Sequence, residues 1–564
     1  MEGVRTGSRV RWFVDRGLSR FLRIAAPTTD YTVHRGVGIS MRDGAVLRAT
    51  HYAPIVDTPL GTILVRGPYG RSFPFSLVYA RLYAARGYHV LLQSVRGTFG
   101  SGGDFVPMVH EADDAADTVV WLREQPWFTG KFATIGLSYL GFTQWALLSD
   151  PPPELAAAVV TVGPHDFHAS SWGTGSFSLN DFLSWSDSMA HQEEAIPRKL
   201  ALQTRAARRL AYAMHGLPLG SAGRDLLGSQ SPWYESWIEH PGGDDPFWAD
   251  MRMTSALDRC DVPVLLISGW QDLFLDQTLL QYRHLRDRGV DVAMTLGPWA
   301  HGDMVTKAGG TAAAQTLDWL GTHLAGAATK GRRSPVRVYV AHHGWIDLPD
   351  WPPNTGDGVL YLQPAGRLAA APPPGEATPS SFRYDPADPT PTVGGRLLTQ
   401  KAGYRDDSEL ARRADVLSFT SGPLDADLYV FGNPVVELAH DADIDHVDLF
   451  VRVSEVDARG HSRNVSDGYR RLNAPVQGPI RIELDGIAHR FRAGTQVRVL
   501  IAGGSHPRFA RNLGTGEPVL TGQRMVPAVH TVHHGAGGLS KLILPALAGL
   551  PSPDGGADPG GDLV

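Results

Sequence analysis

One stretch restricts the fold more than any other: Ala133-Thr134-Ile135-Gly136-Leu137-Ser138-Tyr139-Leu140-Gly141-Phe142-Thr143-Gln144-Trp145. The apolar run Ala133 to Ile135 reads as a buried strand. It meets a glycine, then a serine. A helical segment from Tyr139 to Leu148 follows and stops before Pro151, Pro152 and Pro153. Strand, sharp turn and helix with a serine at the turn is the layout of a nucleophile elbow, whose backbone lifts a hydroxyl above the sheet. Small residues are needed because the helix packs tightly against the strand. The G-x-S-x-G spacing would put its second glycine two residues after the serine. Here Leu140 stands in that place and Gly141 follows it.

Around this stretch, apolar runs alternate with helical segments. Residues 30 to 60 read as a hairpin turning at Arg42-Asp43-Gly44. Strands are expected at Ile63 to Val65, Val90 to Val95, Ala133 to Ile135, Val159 to Val162, Val264 to Ser268 and Val292 to Leu296. Helices are expected at Leu77 to Arg86 and Glu111 to Arg123. Such alternation predicts a mostly parallel sheet covered on both faces. Ligands collect at the carboxyl ends of strands in sheets of this kind.

Three of those strand ends carry chemistry. Ser138 follows one, Gly269-Trp270-Gln271-Asp272 ends the second, and Gly297-Pro298-Trp299-Ala300-His301 ends the third. The chain order Ser, Asp, His is that of the α/β-hydrolase triad and differs from the orders on other serine-hydrolase folds. A serine hydroxyl needs a base to become nucleophilic at neutral pH. Histidine titrates close enough to neutrality to serve, and a buried carboxylate fixes its tautomer. Asp276, four residues beyond Asp272, is the competing acid. Asp272 has a structural alternative as a helix N-cap.

At 564 residues the chain exceeds one core, so two or more domains are expected. A net charge of −6 gives no reason to expect a nucleic-acid or anionic-membrane partner. The single cysteine, Cys260, excludes an internal disulfide and reads as structural. No apolar stretch has the length of a signal-peptide core or membrane span, so the expected location is cytoplasmic. Trp12, Phe13, Leu18, Phe21 and Leu22 read as a short amphipathic helix packed on the body.

Residues 165–255 interrupt the alternation with a Trp-, Phe-, Ala- and Arg-rich insert, including a helical stretch from Arg198 to Met214. It reads as a helical cap over the strand ends. Trp172, Phe177, Phe182 and Trp185 are candidates for an acyl pocket, or for cap packing. Beyond about residue 330 short strands dominate, at Val336 to Val340, Leu428 to Phe431, Val447 to Val453, Ile480 to Leu484 and Val497 to Ile501, which predicts a β-sandwich. The glycines from Gly97 to Gly103 lack the lysine of a phosphate-binding loop. The pairs His342-His343 and His533-His534 have no carboxylate or cysteine nearby at ligand spacing, so they read as surface or structural and no metal is expected.

Several segments together resemble the cocaine-esterase and X-Pro dipeptidyl-peptidase (CocE/NonD) group of serine hydrolases. They are Arg66-Gly67-Pro68-Tyr69, Val95-Arg96-Gly97-Thr98 with Gly100-Ser101-Gly102-Gly103, Gln125-Pro126-Trp127, Gly136 to Gly141, Gly269 to Asp272 and Gly297 to His301. In the second half they are Tyr384 to Pro389, Asn464-Val465-Ser466-Asp467-Gly468, and Pro507-Arg508-Phe509 with Arg511-Asn512. The serine motif of that family has its glycine shifted as here.

The resemblance implies an α/β-hydrolase domain at 30–164 and 256–328, a helical cap at 165–255 and a jelly-roll β-sandwich at 329–552, while the Gly-, Pro- and Asp-rich residues 553–564 read as a disordered tail. It implies Ser138 as nucleophile, His301 as base and Asp272 as its partner. Tyr69 and the backbone N–H of Tyr139 would form the oxyanion hole. Family members acting on α-amino acid esters carry acidic residues just after the triad aspartate. Leu273, Phe274 and Leu275 stand there, so an apolar acyl pocket including Phe274 is expected. The peptidase branch often has extra N-terminal sequence, which is not seen here. The expectation is therefore an esterase for small acyl groups, with an X-Pro dipeptidyl-peptidase or amide acylase as the alternative and a silent binding protein as the third reading. A small ester or short peptide is the expected partner, without cofactor. Homo-oligomerisation is left open.

Overall fold

The computed structural model describes residues 8–327, 332–375, 377–535, 537–547 and 549. The expected tail at 553–564 lies outside them. The first domain is built on ten strands: β1 (Tyr31–Ser40), β2 (Val46–Pro54), β3 (Thr62–Gly67), β4 (His89–Ser94), β5 (Phe132–Leu137), β6 (Leu155–Thr161), β7 (Val264–Gln271), β8 (Val292–Ala300), β9 (Val336–Val340) and β10 (Gly344–Leu348). Their order across the sheet is β1-β2-β4-β3-β5-β6-β7-β8-β9-β10. The strands from β4 across to β9 run parallel, with antiparallel hairpin strands at both edges.

The parallel strands β3 to β8 are buried along nearly their whole length because both faces are covered. Along β3, Leu64 joins the core on one face while Ile63 and Val65 join the core on the other. Each such fully buried aliphatic side chain contributes about 1.5–3 kcal/mol relative to exposure. Parallel pairing demands crossovers, supplied by the helices Glu111–Arg123, Tyr139–Leu148, Leu275–Asp287 and Gly309–His323. The first of these has Glu111, Asp113 and Asp114 in its opening turn and Arg123 in its last, which complements the helix dipole.

Between β6 and β7 the cap forms from the helices Phe167–Trp172, Leu179–His191, Ile196–His215, Leu219–Leu227 and Trp233–Glu239. The N-terminal helix Ser8–Phe21 lies on the body through buried Asp15, which accepts from the Tyr31 hydroxyl at 2.9 Å and pairs with Arg81 at 2.8 Å. Leu22 is buried with it, whereas Trp12, Phe13 and Phe21 face outward.

One sequence expectation is corrected. Val336 to Val340 does not open the sandwich. As β9 it pairs with β8 and, through β10, extends the first sheet to Leu348. Its apolar–polar alternation is that of any half-covered strand, and alternation does not identify the pairing partner. The second domain is a β-sandwich whose eleven-stranded sheet starts at Gly356–Gln363 and ends at Lys541–Leu547. The strand Val447–Val456 is buried at every position. Leu449, Val451 and Val453 face the sandwich core. Arg452 is also buried and is held by Asp467 at 2.6 Å, as a buried charge must be.

Candidate active site

Ser138 stands between β5 and the helix Tyr139–Leu148 at φ 56°, ψ −122°. A non-glycine residue in such a conformation costs roughly 1–3 kcal/mol and persists only where its surroundings enforce it. Here the Ser138 N–H donates to Thr161 O at 2.9 Å, and its carbonyl accepts from Gly141 and Phe142 at 2.7 and 3.1 Å. The shifted glycine of the motif has a packing cause. A Cβ at Gly141 would lie 2.5 Å from Gly163 Cα, so the close approach of the helix to the chain just past β6 requires a glycine there. Leu140 fills the space left by another glycine, since a Cβ at Gly67 would meet Leu140 Cδ1 at 2.4 Å.

The ends of β7 and β8 bring the other two side chains to this turn. His301 Nε2 lies 3.0 Å from Ser138 Oγ, and His301 Nδ1 lies 2.6 Å from Asp272 Oδ2. The second carboxylate oxygen of Asp272 accepts the Phe274 N–H at 2.8 Å. All three residues are buried, Asp272 completely. The Phe274 ring meets the His301 ring edge-on at 5.4 Å. Asp276, the competing acid, is ion-paired to Arg396 at 2.7 Å instead.

Tyr69, just after β3, places its hydroxyl beside the Ser138 side chain and the Tyr139 N–H. The Trp185 indole N–H donates to that hydroxyl at 3.2 Å. Burial pushes the Tyr69 phenol above its usual range, and these three contacts partly oppose the rise. The Tyr139 side chain points elsewhere. Its hydroxyl donates to Glu111 Oε1 at 2.8 Å and accepts the Met108 N–H at 2.7 Å, and Arg66 pairs with Glu111 at 3.1 Å. From the sequence Glu111 reads only as a helix start, because an acid inside a helix carries no mark of facing inward to support the elbow.

Of the five pocket candidates, two border these groups: Phe274 on His301, and Trp185, which stacks on Tyr139 at 6.1 Å and 5°. The ring contacts of Trp172, Phe177 and Phe182 are instead with one another and with Phe167, Tyr234 and Trp237. Trp172 also lines a cavity of about 650 Å³ between cap and sandwich whose lining includes none of Ser138, Asp272 and His301. These three aromatics take the cap-packing alternative.

The sandwich domain also reaches the site. Leu398 N–H donates to Asp181 of the cap at 2.8 Å. Asp181 is buried within electrostatic reach of His301 and Asp272, and burial pushes its carboxyl up to about 6.

Residues 43–303 match the family model described as X-Pro dipeptidyl-peptidase (S15 family), and residues 329–543 match that of the X-Pro dipeptidyl-peptidase C-terminal non-catalytic domain. A cocaine esterase from Rhodococcus sp. (strain MB1 Bresler) is 28% identical, over 92% of this chain and 99% of its own. An aminopeptidase structure from a marine-sediment Thaumarchaeota archaeon superposes with a TM-score of 0.78 at 22% identity, covering 92% of this chain and 96% of that one. An α-amino acid ester hydrolase superposes with a TM-score of 0.78 at 23% identity, covering 93% and 98%. With two adjoining domain models of one family matched in order, and a relative aligned nearly end to end, the chain belongs to the cocaine-esterase and X-Pro dipeptidyl-peptidase family of α/β-hydrolase-fold serine hydrolases.

Proposed function

We propose that this serine hydrolase cleaves carboxylic esters of small, uncharged acyl groups through an acyl-enzyme. The observation that carries the reading is the chain Ser138 Oγ to His301 Nε2 at 3.0 Å and His301 Nδ1 to Asp272 at 2.6 Å, with the Tyr69 hydroxyl beside the serine. Ser138 attacks the ester carbonyl as His301 takes its proton. Asp272 holds the imidazole with Nδ1 protonated and stabilises the imidazolium. The carbonyl oxygen, now negative, receives hydrogen bonds from the Tyr69 hydroxyl and the Tyr139 N–H. His301 returns the proton to the departing alcohol. Water, activated by the same histidine, then frees the acid and Ser138.

The preference for an uncharged acyl group rests on the acids near the site. An ammonium would need a carboxylate free to pair with it. Asp276 is taken by Arg396. Asp181 already accepts the Leu398 N–H. Phe274 presents an apolar face in the position next to His301.

The family match makes dipeptidyl-peptidase activity the second reading. Hydrolysis of p-nitrophenyl acetate and butyrate beside an X-Pro p-nitroanilide separates the two. We expect turnover of the esters, little of the anilide, and loss of both in Ser138→Ala. Full ester turnover in that variant would remove Ser138 from the mechanism. Faster turnover of the anilide would reverse the substrate preference.

A further inference from the structure

We propose that His342, Glu455 and His489 form a binding site for a zinc-class divalent transition-metal ion, which clasps the last hairpin of the first sheet to the sandwich. His342 lies in the turn between β9 and β10. Glu455 is on the strand Val447–Val456, and His489 is on the strand Ile487–Phe491. Among the described residues, these three side chains bring their ligand atoms within 4.8 Å of one another. His342 Nε2 and His489 Nε2 each lie 3.0 Å from Glu455 Oε2. A tetrahedral zinc ion with bonds of roughly 2.0–2.2 Å needs ligand atoms about 3.3 Å apart. Small side-chain adjustments therefore suffice.

The backbone fixes the two histidines relative to each other. Ala341 N–H donates to Ala488 O at 3.1 Å, and Arg490 N–H donates to Ala341 O at 3.2 Å. The Arg490 guanidinium also donates to the His342 carbonyl at 3.2 Å. A site tied on both sides of a domain junction does not have to be assembled by the ion.

Two polar atoms are left over. Among the described residues, Glu455 Oε1 and His489 Nδ1 are buried without a hydrogen-bond partner, in residues only 7% and 4% exposed. Glu455 is a buried carboxylate held between two imidazoles at 3.0 Å, and a divalent ion bound there would balance its charge. Two imidazoles with one carboxylate favour zinc and its neighbours over the oxygen-seeking calcium and magnesium. His342 and Glu455 line a cavity of about 460 Å³, bordered also by Asp457 and His461 and by the arginines Arg405, Arg463 and Arg492, which leaves an ion a route in and a position for water.

The test uses the full-length, tag-free protein stripped with a chelator. Co²⁺ is titrated by visible absorption, and Zn²⁺ by calorimetry and thermal unfolding. We expect one equivalent to bind, the cobalt form to show tetrahedral d–d bands, and the unfolding midpoint to rise. Glu455→Gln and His342→Asn should each weaken zinc at least about tenfold, a loss that even supporting partners of metal ligands produce. Ester hydrolysis by both metal-free variants should match that of the metal-free parent. His342 is in a partly exposed turn, so its variant keeps the fold if the buried one does not. No stoichiometric binding to the parent, or undiminished affinity in either folded variant, would overturn the site.

Discussion

The Trp185 indole N–H donates to the Tyr69 hydroxyl oxygen at 3.2 Å. With its oxygen accepting from the cap, the tyrosine proton is free to point at the oxyanion. A donor that already accepts a hydrogen bond is polarised and donates more strongly. Tyr69→Phe should lower kcat by roughly 100- to 1000-fold, the usual cost of one oxyanion-hole donor, with KM little changed. Trp185→Phe keeps a ring against Tyr139 but removes the donor. Its kcat should fall about two- to tenfold, as expected for one hydrogen bond. Steady-state kinetics on p-nitrophenyl butyrate checks both. Full activity in Tyr69→Phe would remove that residue from the oxyanion hole.

Asp272 is completely buried and spends one oxygen on His301 and the other on the Phe274 N–H. Asp272→Asn keeps the size but presents an amide to the imidazole and favours the wrong tautomer. The expected loss in kcat is about 10⁴-fold. The folded state should persist by circular dichroism. A loss of only severalfold would show that another acid, with Asp276 the first to test, orients the histidine.

The contact between Gly67 and Leu140 makes a prediction about folding rather than chemistry. Gly67→Ala would push a methyl group to within 2.4 Å of Leu140 Cδ1. Overpacking of this kind costs roughly 1–3 kcal/mol. Leu140→Ala alone should cost about 2–5 kcal/mol through the cavity it leaves. In the double variant the new methyl group enters that cavity, so the Gly67→Ala penalty should vanish. Chemical denaturation across the four proteins measures this coupling. Strict additivity would mean that the strand and the helix do not share this space.

The elbow, the strand ends and their order could be read from the chain because they are local: strand, turn chemistry and helix lie within thirteen consecutive residues. Convergence of Ser138, Asp272 and His301 followed from a general rule about parallel sheets rather than from their spacing. What could not be read depends on partners distant in sequence. Val336–Val340 looks the same on its own whichever sheet it joins. Glu111 gives no sign that it supports Tyr139. His342 has no ligand nearby in sequence, because Glu455 and His489 lie more than a hundred residues away and reach it only through the packing of two domains. The aromatic insert reads as a cap, but composition does not say which rings face the serine. Only contact with Tyr69 and Tyr139 distinguishes Trp185 from Trp172.

Asp181 supplies the pH dependence. Burial raises its carboxyl from the ordinary 3.8 to about 6, partly opposed by the Leu398 N–H, Arg508 and His301. Between those two values the folded chain keeps a proton that the unfolded chain has released. Stability contributed by this group therefore falls as pH rises from about 4 to 6, and the penalty is complete above that. At 1.36 kcal/mol per unit, it amounts to about 1–3 kcal/mol. Asp181→Asn keeps an oxygen for the Leu398 N–H and carries no charge. Its unfolding midpoint should exceed that of the parent by a few degrees at pH 7.5, and the two should converge below pH 4. Scanning calorimetry from pH 4 to 8 measures the gap. A lower midpoint for the variant at pH 7.5, or a gap that stays constant with pH, would mean that Asp181 is held ionised by its neighbours and acts as a fixed negative charge beside His301.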